Sequence, residues 1–348
     1  MIFTGDIAQP YVGASTVNVP EILYKSAWLG NLEGSFVEGE GLAGVYNNYD
    51  AIAKLCKQIH FKAFNLANNH LLDAAYVNTT LINLKKLGIP AVGGGCDLKE
   101  SGQHLLFTDS DGKVYRVLTF GWENIQCRIA TEKREGVNPY TRKHVLKSAE
   151  DALKHGEPVV CFMHWNYELE RYPQPYDRKL AHDLIDMGVA AVVGCHAHRV
   201  QPIEFYKGKP IVYGLGNFLF CQGYYFDKKL CFPRFCEDEY AFELAGDGYK
   251  LHYLKYDQSE NRLEYLKSAE IGPDCEFNGK AEFSGMTDKE YEVWFREHRV
   301  QKKLLPVFKA TESALSYAVK SYWIKARGML INILTKLNLK SANRSGRK

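Results

Sequence analysis

What the chain lacks narrows the choices first. No apolar run approaches the roughly 18–20 residues of a membrane-spanning helix; runs such as Val159–Met163 and Val189–Val193 are strand-length. Met1–Asp6 holds neither a basic stretch nor an apolar core, so no export signal is expected there. The nine cysteines are odd in number and form no CxxC pair, which argues against a disulfide framework and for a reduced, cytoplasmic compartment. Cys161, for one, stands in an apolar run where a thiol behaves as a small hydrophobe. Low-complexity composition is also missing: 13% aromatic residues supply enough surface to bury against the entropy of ordering. Acid is scarce in one place only. Residues 301–348 carry 11 Lys/Arg against the single acid Glu312, whereas residues 1–300 carry 33 Lys/Arg against 40 Asp/Glu. The net charge of +3 hides an acidic body with a basic tail.

What is there, over the first 220 residues, is alternation of short apolar strands with amphipathic helices. Ile2–Thr4, Phe61–Leu66, Val114–Phe120, Val159–Met163 and Val189–Val193 read as strands; 49–60, 76–87, 144–155 and 176–187 read as helices, several stopped by Gly or Pro. This order predicts an α/β core. Beyond residue 240 a hairpin is expected around Gly246-Asp247-Gly248, and residues 313–340 read as one long amphipathic helix.

The polar residues fall at strand ends. Asp6 follows the first strand, Glu33 the apolar stretch 27–29, Asn69 and His70 the strand 61–66, His164 the strand 159–163, and His196 and His198 the strand 189–193. Ligands of α/β sheets bind beyond the carboxyl ends of strands, so these side chains are expected to converge. Imidazole, carboxylate and amide oxygen suit divalent metals, and His-x-His on an extended segment puts both rings on one face. Asp6, Glu33, Asn69, His164, His196 and His198 are six candidate ligands, too many for one catalytic ion with an open position, so two ions would share them. Such a site would be net positive and favour an anionic substrate. His70 would be left for acid chemistry. His60, His104, His144, His155, His182, His252 and His298 join no constellation and read as surface or satisfied core histidines.

The order GD…NLEG…ANNH…HWxxE…GxHxH…QPIE…LGNF, from Gly5 to Phe218, resembles the bacterial capsule-synthesis family (CapA/PgsA type) of the calcineurin-like metallophosphoesterase superfamily. The resemblance implies a four-layer αββα sandwich of two mixed sheets, here over residues 1–270. It is followed by a connecting segment, 271–310, and a basic helical tail, 311–348. It implies Asp6 as the first metal ligand, Glu33 where the superfamily's bridging aspartate stands, Asn69 as amide ligand and His70 as the acid that protonates a leaving oxygen. His164, His196 and His198 would complete the shell, and Glu168 would be a ligand, an outer partner or a base. One or two divalent ions (Mn, Fe, Zn or Mg) are implied. Ala8 stands where the superfamily's first histidine would be, and Cys195 where many members have His.

Function then has three readings. The first is phosphoester hydrolysis in capsule or surface-polysaccharide biosynthesis. The second is hydrolysis or transfer at poly-γ-glutamate amide bonds. The third is a non-catalytic part of a capsule-synthesis complex. The substrate is expected to be an anionic small molecule, a glycan phosphate or poly-γ-glutamate; no nucleic acid is expected. Arg171, Arg178, Lys228, Lys229 and Arg234 lie in two aromatic segments that can serve anionic groups. In the tail, Leu315, Val319, Tyr322, Ala326, Leu330, Ile333 and Leu337 form a stripe with cations on both flanks, suited to a membrane surface or to a protein face. Ile324 and Ile331, off the stripe, favour the second. The expected location is cytoplasmic, peripheral to the inner face of the membrane.

Overall fold

Residues along the central strands alternate between two apolar environments, and this alternation builds the layers. In the computed structural model, which describes residues 1–246, 248–300 and 304–336, Phe3, Leu29 and Ala63 share one buried cluster with Val117, Phe162, Val193 and Val212. Phe3 meets Phe162 edge-on at 5.5 Å, which fixes the two sheets face to face. The chain neighbours Ile2, Trp28, Phe64, Leu118, Cys161 and Val192 join a second cluster with the helix residues Ile52, Leu55, Leu84, Ala149 and Leu184. Helix, sheet, sheet and helix are therefore stacked in four layers, as the resemblance implies.

Both sheets are mixed. In the first, Ile2–Ala8, Trp28–Leu32, Phe61–Asn65 and Ala91–Val92 run parallel. On the other side of Ile2–Ala8, the strands Asp238–Ala245, Gly248–Asp257 and Arg262–Ile271 form an antiparallel meander. The turn expected at 246–248 joins two of these; Asp247 lies outside the described residues. In the second sheet Val114–Gly121, Val159–His164, Ala191–Cys195 and Lys209–Val212 run parallel, with Leu105–Thr108 and Ile203–Tyr206 as antiparallel edges. The carboxyl ends of the parallel strands open on one rim of the sandwich.

The strand expected over 2–4 runs instead to Ala8. Its first half pairs with Ala241–Glu243, and its second half pairs with Asn217–Phe220, so the ladder continues past Thr4 with a bulge between Asp6 and Ile7. Gly5 makes the change of partner possible: a Cβ there would lie 1.9 Å from the Gly216 carbonyl oxygen. Asp6 is thus inside the strand at a bulge, a device that re-aims a side chain, rather than beyond its end.

The helices follow their caps. Asn48 accepts from the Ala51 amide to start Tyr49–Gln58, Thr141 starts Arg142–Leu153, and Gly88 at φ 70° ends Val77–Leu87. Residues 271–310 carry the helix Asp288–His298 and bury Phe283, Tyr291, Phe295 and Phe308 in the same core as the outer helices. The tail helix spans Ala314–Lys336; the expected stripe residue Leu337 lies outside the described residues.

One buried acid sets a pH dependence. Asp177, in the first turn of Pro175–Asp186, accepts a hydrogen bond from Tyr140 Oη at 2.7 Å. Burial raises its carboxyl from 3.8 to about 7. Between those values the folded chain holds a proton that the unfolded chain has lost, so stability falls as pH rises through this window. Asp177→Asn keeps an acceptor for Tyr140. It is expected to flatten that fall and to stabilise the protein above pH 7 by at most about 4 kcal/mol. Urea unfolding between pH 4 and 8 measures it.

Candidate metal centre

The rim gathers the expected side chains. Asp6 Oδ1 accepts from Asn31 Nδ2 at 2.8 Å, Asn31 Oδ1 accepts from Asn65 Nδ2 at 2.9 Å, and Asn65 Oδ1 accepts from the Ala67 amide at 2.9 Å. A backbone N–H can only donate, so the direction of the whole chain is determined, and it ends by presenting Asp6 Oδ2 to the site. Glu33 follows the strand Trp28–Leu32, and its amide donates to the Ile7 carbonyl at 2.9 Å. Gly34, at φ 102°, sits where a Cβ would meet the Val45 carbonyl oxygen at 2.5 Å. Asn68 ties this loop to the next: its Oδ1 accepts from the amides of Gly34 and His70, and its Nδ2 donates to the Leu32 carbonyl.

From the second sheet, His164 ends its strand with Nε2 at 2.7 Å from Asn69 Oδ1 and Nδ1 at 3.1 Å from Cys195 Sγ. The His164 and His196 rings are 4.8 Å apart, and those of His196 and His198 are 5.6 Å apart. The extended His-x-His expected from the sequence is not formed. The strand ends at Cys195, and His196 (φ 92°) and His198 (φ 54°) both take left-handed backbone, which turns the rings inward. Non-glycine residues hold such conformations at a cost of about 1–3 kcal/mol each, and such strain collects at functional sites. His198 Nδ1 lies 2.9 Å from Asn217 Oδ1 and 3.1 Å from Asp6 Oδ2, so this nitrogen carries a proton and Nε2 faces Glu33 Oε1 at 3.8 Å.

The electrostatics of the cluster are dominated by its two buried acids. Glu33 is fully buried, and no hydrogen-bond donor among the described residues reaches either of its carboxylate oxygens. Burial, and then the nearby Asp6 charge, push its carboxyl well above the usual range. Burial holds His164 at about 3. For His198 burial acts downward but is outweighed by Glu33 and Asp6, leaving it at about 10. The His198 proton thus compensates the Asp6 charge, whereas Glu33 has no such partner, and an uncompensated buried carboxylate costs several kcal/mol. Ligand atoms of Asp6, His164 and Cys195, and those of Glu33, His196 and His198, form two groups each within 4.8 Å. Buried oxygens without donors, together with imidazole nitrogens at these spacings, fit a divalent cation.

The remaining expected residues divide. His70 Nδ1 lies 2.7 Å from Asp73 Oδ2, with Nε2 turned to Glu33 Oε1 at 3.8 Å. Glu168 is half-buried and close enough for its charge to act on His198. Arg178 does not reach the rim: it is buried against Glu204, with Nη2–Oε1 at 2.8 Å and a further bond to the Met286 carbonyl. Its position on the covered face of the helix Pro175–Asp186 is the reason. Arg171, Lys228, Lys229 and Arg234 are exposed. His182, read as a satisfied core histidine, bonds Glu204 at 3.1 Å.

Asn31, Asn65, Asn217 and Asp73 act in the cluster without having been singled out as its members, and Cys195, a thiol expected to pack against its strand more than to bind metal, lies beside His164. The signal for Asn31 was its place two residues before Glu33; Asn65 had none. An aromatic wall was also missed as such: Phe232 stacks on His198 at 4.3 Å and Phe226 lies 6.3 Å from His70. Asn31→Ala removes the donor that orients Asp6. Outer hydrogen bonds of this kind typically control divalent affinity by about 10–100-fold, and a loss of that size is expected in a Mn²⁺ titration by calorimetry.

Comparison with known proteins finds relatives in sequence and in fold. The chain is 31% identical over 175 residues to the PGA biosynthesis protein CapA of Bacillus subtilis, covering 49% of this chain and 46% of that protein. It is 32% identical over 179 residues to the capsule biosynthesis protein CapA of Bacillus anthracis, covering 49% and 43%. The chain therefore matches less than half the length of these relatives. Among solved structures, a 5'-nucleotidase precursor from Thermus thermophilus matches with a TM-score of 0.35 at 12% identity, over 71% of this chain and 44% of that one. The family model for the bacterial capsule synthesis protein PGA_cap matches residues 18–222, well over half of the chain, and the chain belongs to that family.

Proposed function

We propose that the chain is a metal-dependent hydrolase that cleaves phosphoesters in capsule or surface-polysaccharide biosynthesis. The observation that carries this reading is Glu33, a fully buried carboxylate with no donor on either oxygen among the described residues, set between His198 Nε2 and His70 Nε2 at 3.8 Å each. Asp6, Glu33, Asn69, His164, His196 and His198 would hold one or two divalent ions. Ala8, where the superfamily's first histidine would be, is buried among Phe220, Tyr225 and other apolar side chains and offers no ligand. An ion held by those ligands would supply Lewis acidity toward water and a phosphoryl group.

The chain's own residues do the rest. Asn31 and Asn217 fix Asp6 and His198 in position. Asp73 holds the His70 ring at Nδ1, which leaves Nε2 to hand a proton to a leaving oxygen. Phe226 and Phe232 limit water at that side. Hydrolysis of poly-γ-glutamate amide bonds is the second reading, favoured by relatives named for PGA biosynthesis. A panel of phosphomonoesters, phosphodiesters and poly-γ-glutamate, assayed with Mn²⁺ on the full chain, separates them. Phosphoester turnover supports the first reading, polymer shortening alone the second, and no turnover with metal bound assigns the chain a non-catalytic role.

A further inference from the structure

The tail helix Ala314–Lys336 is pinned to the body along one face. Trp122 Nε1 donates to Tyr317 Oη at 2.7 Å, Asn124 Nδ2 donates to Ser321 Oγ at 3.0 Å, and Lys325 pairs with Glu123 at 2.9 Å. The Tyr317 ring packs on Phe308 at 4.9 Å and on Tyr176 at 5.4 Å, and Ile324 packs against the core. Lys320 is tied to the Val307 carbonyl at 2.9 Å and to Glu312. These contacts set the helix's rotation. Its opposite face carries Leu315, Val319, Tyr322, Met329, Leu330 and Ile333, all more than half exposed. At 1.5 Å per residue this apolar row is about 27 Å long. The body cannot cover it, because the helix already uses its other face there.

The charge around the row says what covers it. Arg327 lies along one flank by 100° steps, while Lys320 and Lys325, on the two flanks, are held by Glu312 and Glu123. They belong to the 48 residues 301–348 that carry 11 Lys/Arg and one acid. Trp323 borders the row and is 45% exposed. No helix among the described residues is long and apolar enough to cross a membrane. An apolar strip bordered by cations and aromatic rings, on a helix that cannot span, matches the anionic surface of a lipid bilayer. A protein partner that was merely apolar would not call for this surplus of positive charge. We propose that the face Leu315–Ile333 docks the body onto an anionic membrane surface, with the apolar row in the headgroup region and Arg327 on lipid phosphates, favoured by the tail's net positive charge. This inference is independent of the metal centre.

Sedimentation with vesicles tests it on the full chain. Binding to phosphatidylglycerol-containing vesicles is expected, weakened at least about tenfold in pure phosphatidylcholine or in high salt. Val319→Glu/Leu330→Glu, both exposed and outside the docked face, should abolish binding with melting temperature unchanged. Trp emission should shift to the blue on vesicle addition in the wild type and not in Trp323→Phe. Failure of the wild type to sediment with anionic vesicles at low salt overturns the proposal. So does binding that survives the double substitution, or a dimer in light scattering that the substitution dissociates without any vesicle binding.

Discussion

Glu33→Gln is expected to change two properties in opposite directions. Divalent affinity should fall by more than about 100-fold, because loss of an outer hydrogen bond alone costs about 10–100-fold and Glu33 is a proposed direct ligand. The metal-free protein should become more stable. Glu33 is buried beside Asp6 with neither oxygen satisfied, and burial and that neighbour both oppose its charge. Glutamine removes the charge and keeps the shape, so the strain of holding two acids together disappears. Calorimetric Mn²⁺ titration measures the first effect, and thermal melting in excess chelator the second. A merely structural glutamate would show the reverse in the melt, with Gln destabilising.

His70→Ala is expected to lower phosphoester turnover by about 10²–10⁴-fold, the usual range for a general acid, while the bound metal stays constant. The loss should depend on the leaving group. An alkyl alkoxide needs a proton as it departs and p-nitrophenolate does not, so alkyl esters should suffer most. Asp73→Asn should reproduce part of the effect, because Asp73 Oδ2 sets the ring at 2.7 Å. An equal loss on all esters together with reduced metal content would make His70 a ligand rather than the acid.

The layers and the rim were legible because each depends on a local pattern. Strand-length apolar runs such as Val159–Met163 and capped amphipathic stretches such as 49–60 announce their elements. Polar residues placed directly after buried strands converge wherever the strands are parallel. What stayed hidden depends on contacts distant in sequence. Asp6 looked as if it followed a strand because the partner that prolongs that strand, Asn217–Phe220, lies over 200 residues away. Asn31, Asn65 and Asn217 leave no periodic trace; they matter through hydrogen bonds that no spacing rule encodes. The left-handed backbone at His196 and His198 violates the preference of non-glycine residues, and only the surrounding structure enforces it. Arg178 borders an aromatic, Pro-containing segment and so suits anionic groups by sequence alone, whereas the helix that Pro175 begins buries it against Glu204. For the tail, the apolar stripe was visible in the sequence; that the opposite face does the docking required Tyr317, Ser321 and Lys325 to be seen in contact with the body.

The central claim is that Asp6, Glu33, Asn69, His164, His196 and His198 form a divalent metal centre. The most direct measurement is elemental analysis of the full chain purified without added metal or chelator, followed by calorimetric titration with Mn²⁺ and Zn²⁺, beside Glu33→Gln. One or two ions per chain, or saturable binding to that number, with marked loss in the variant, is the result expected. No ion in the purified protein and no heat of binding with either metal would contradict it.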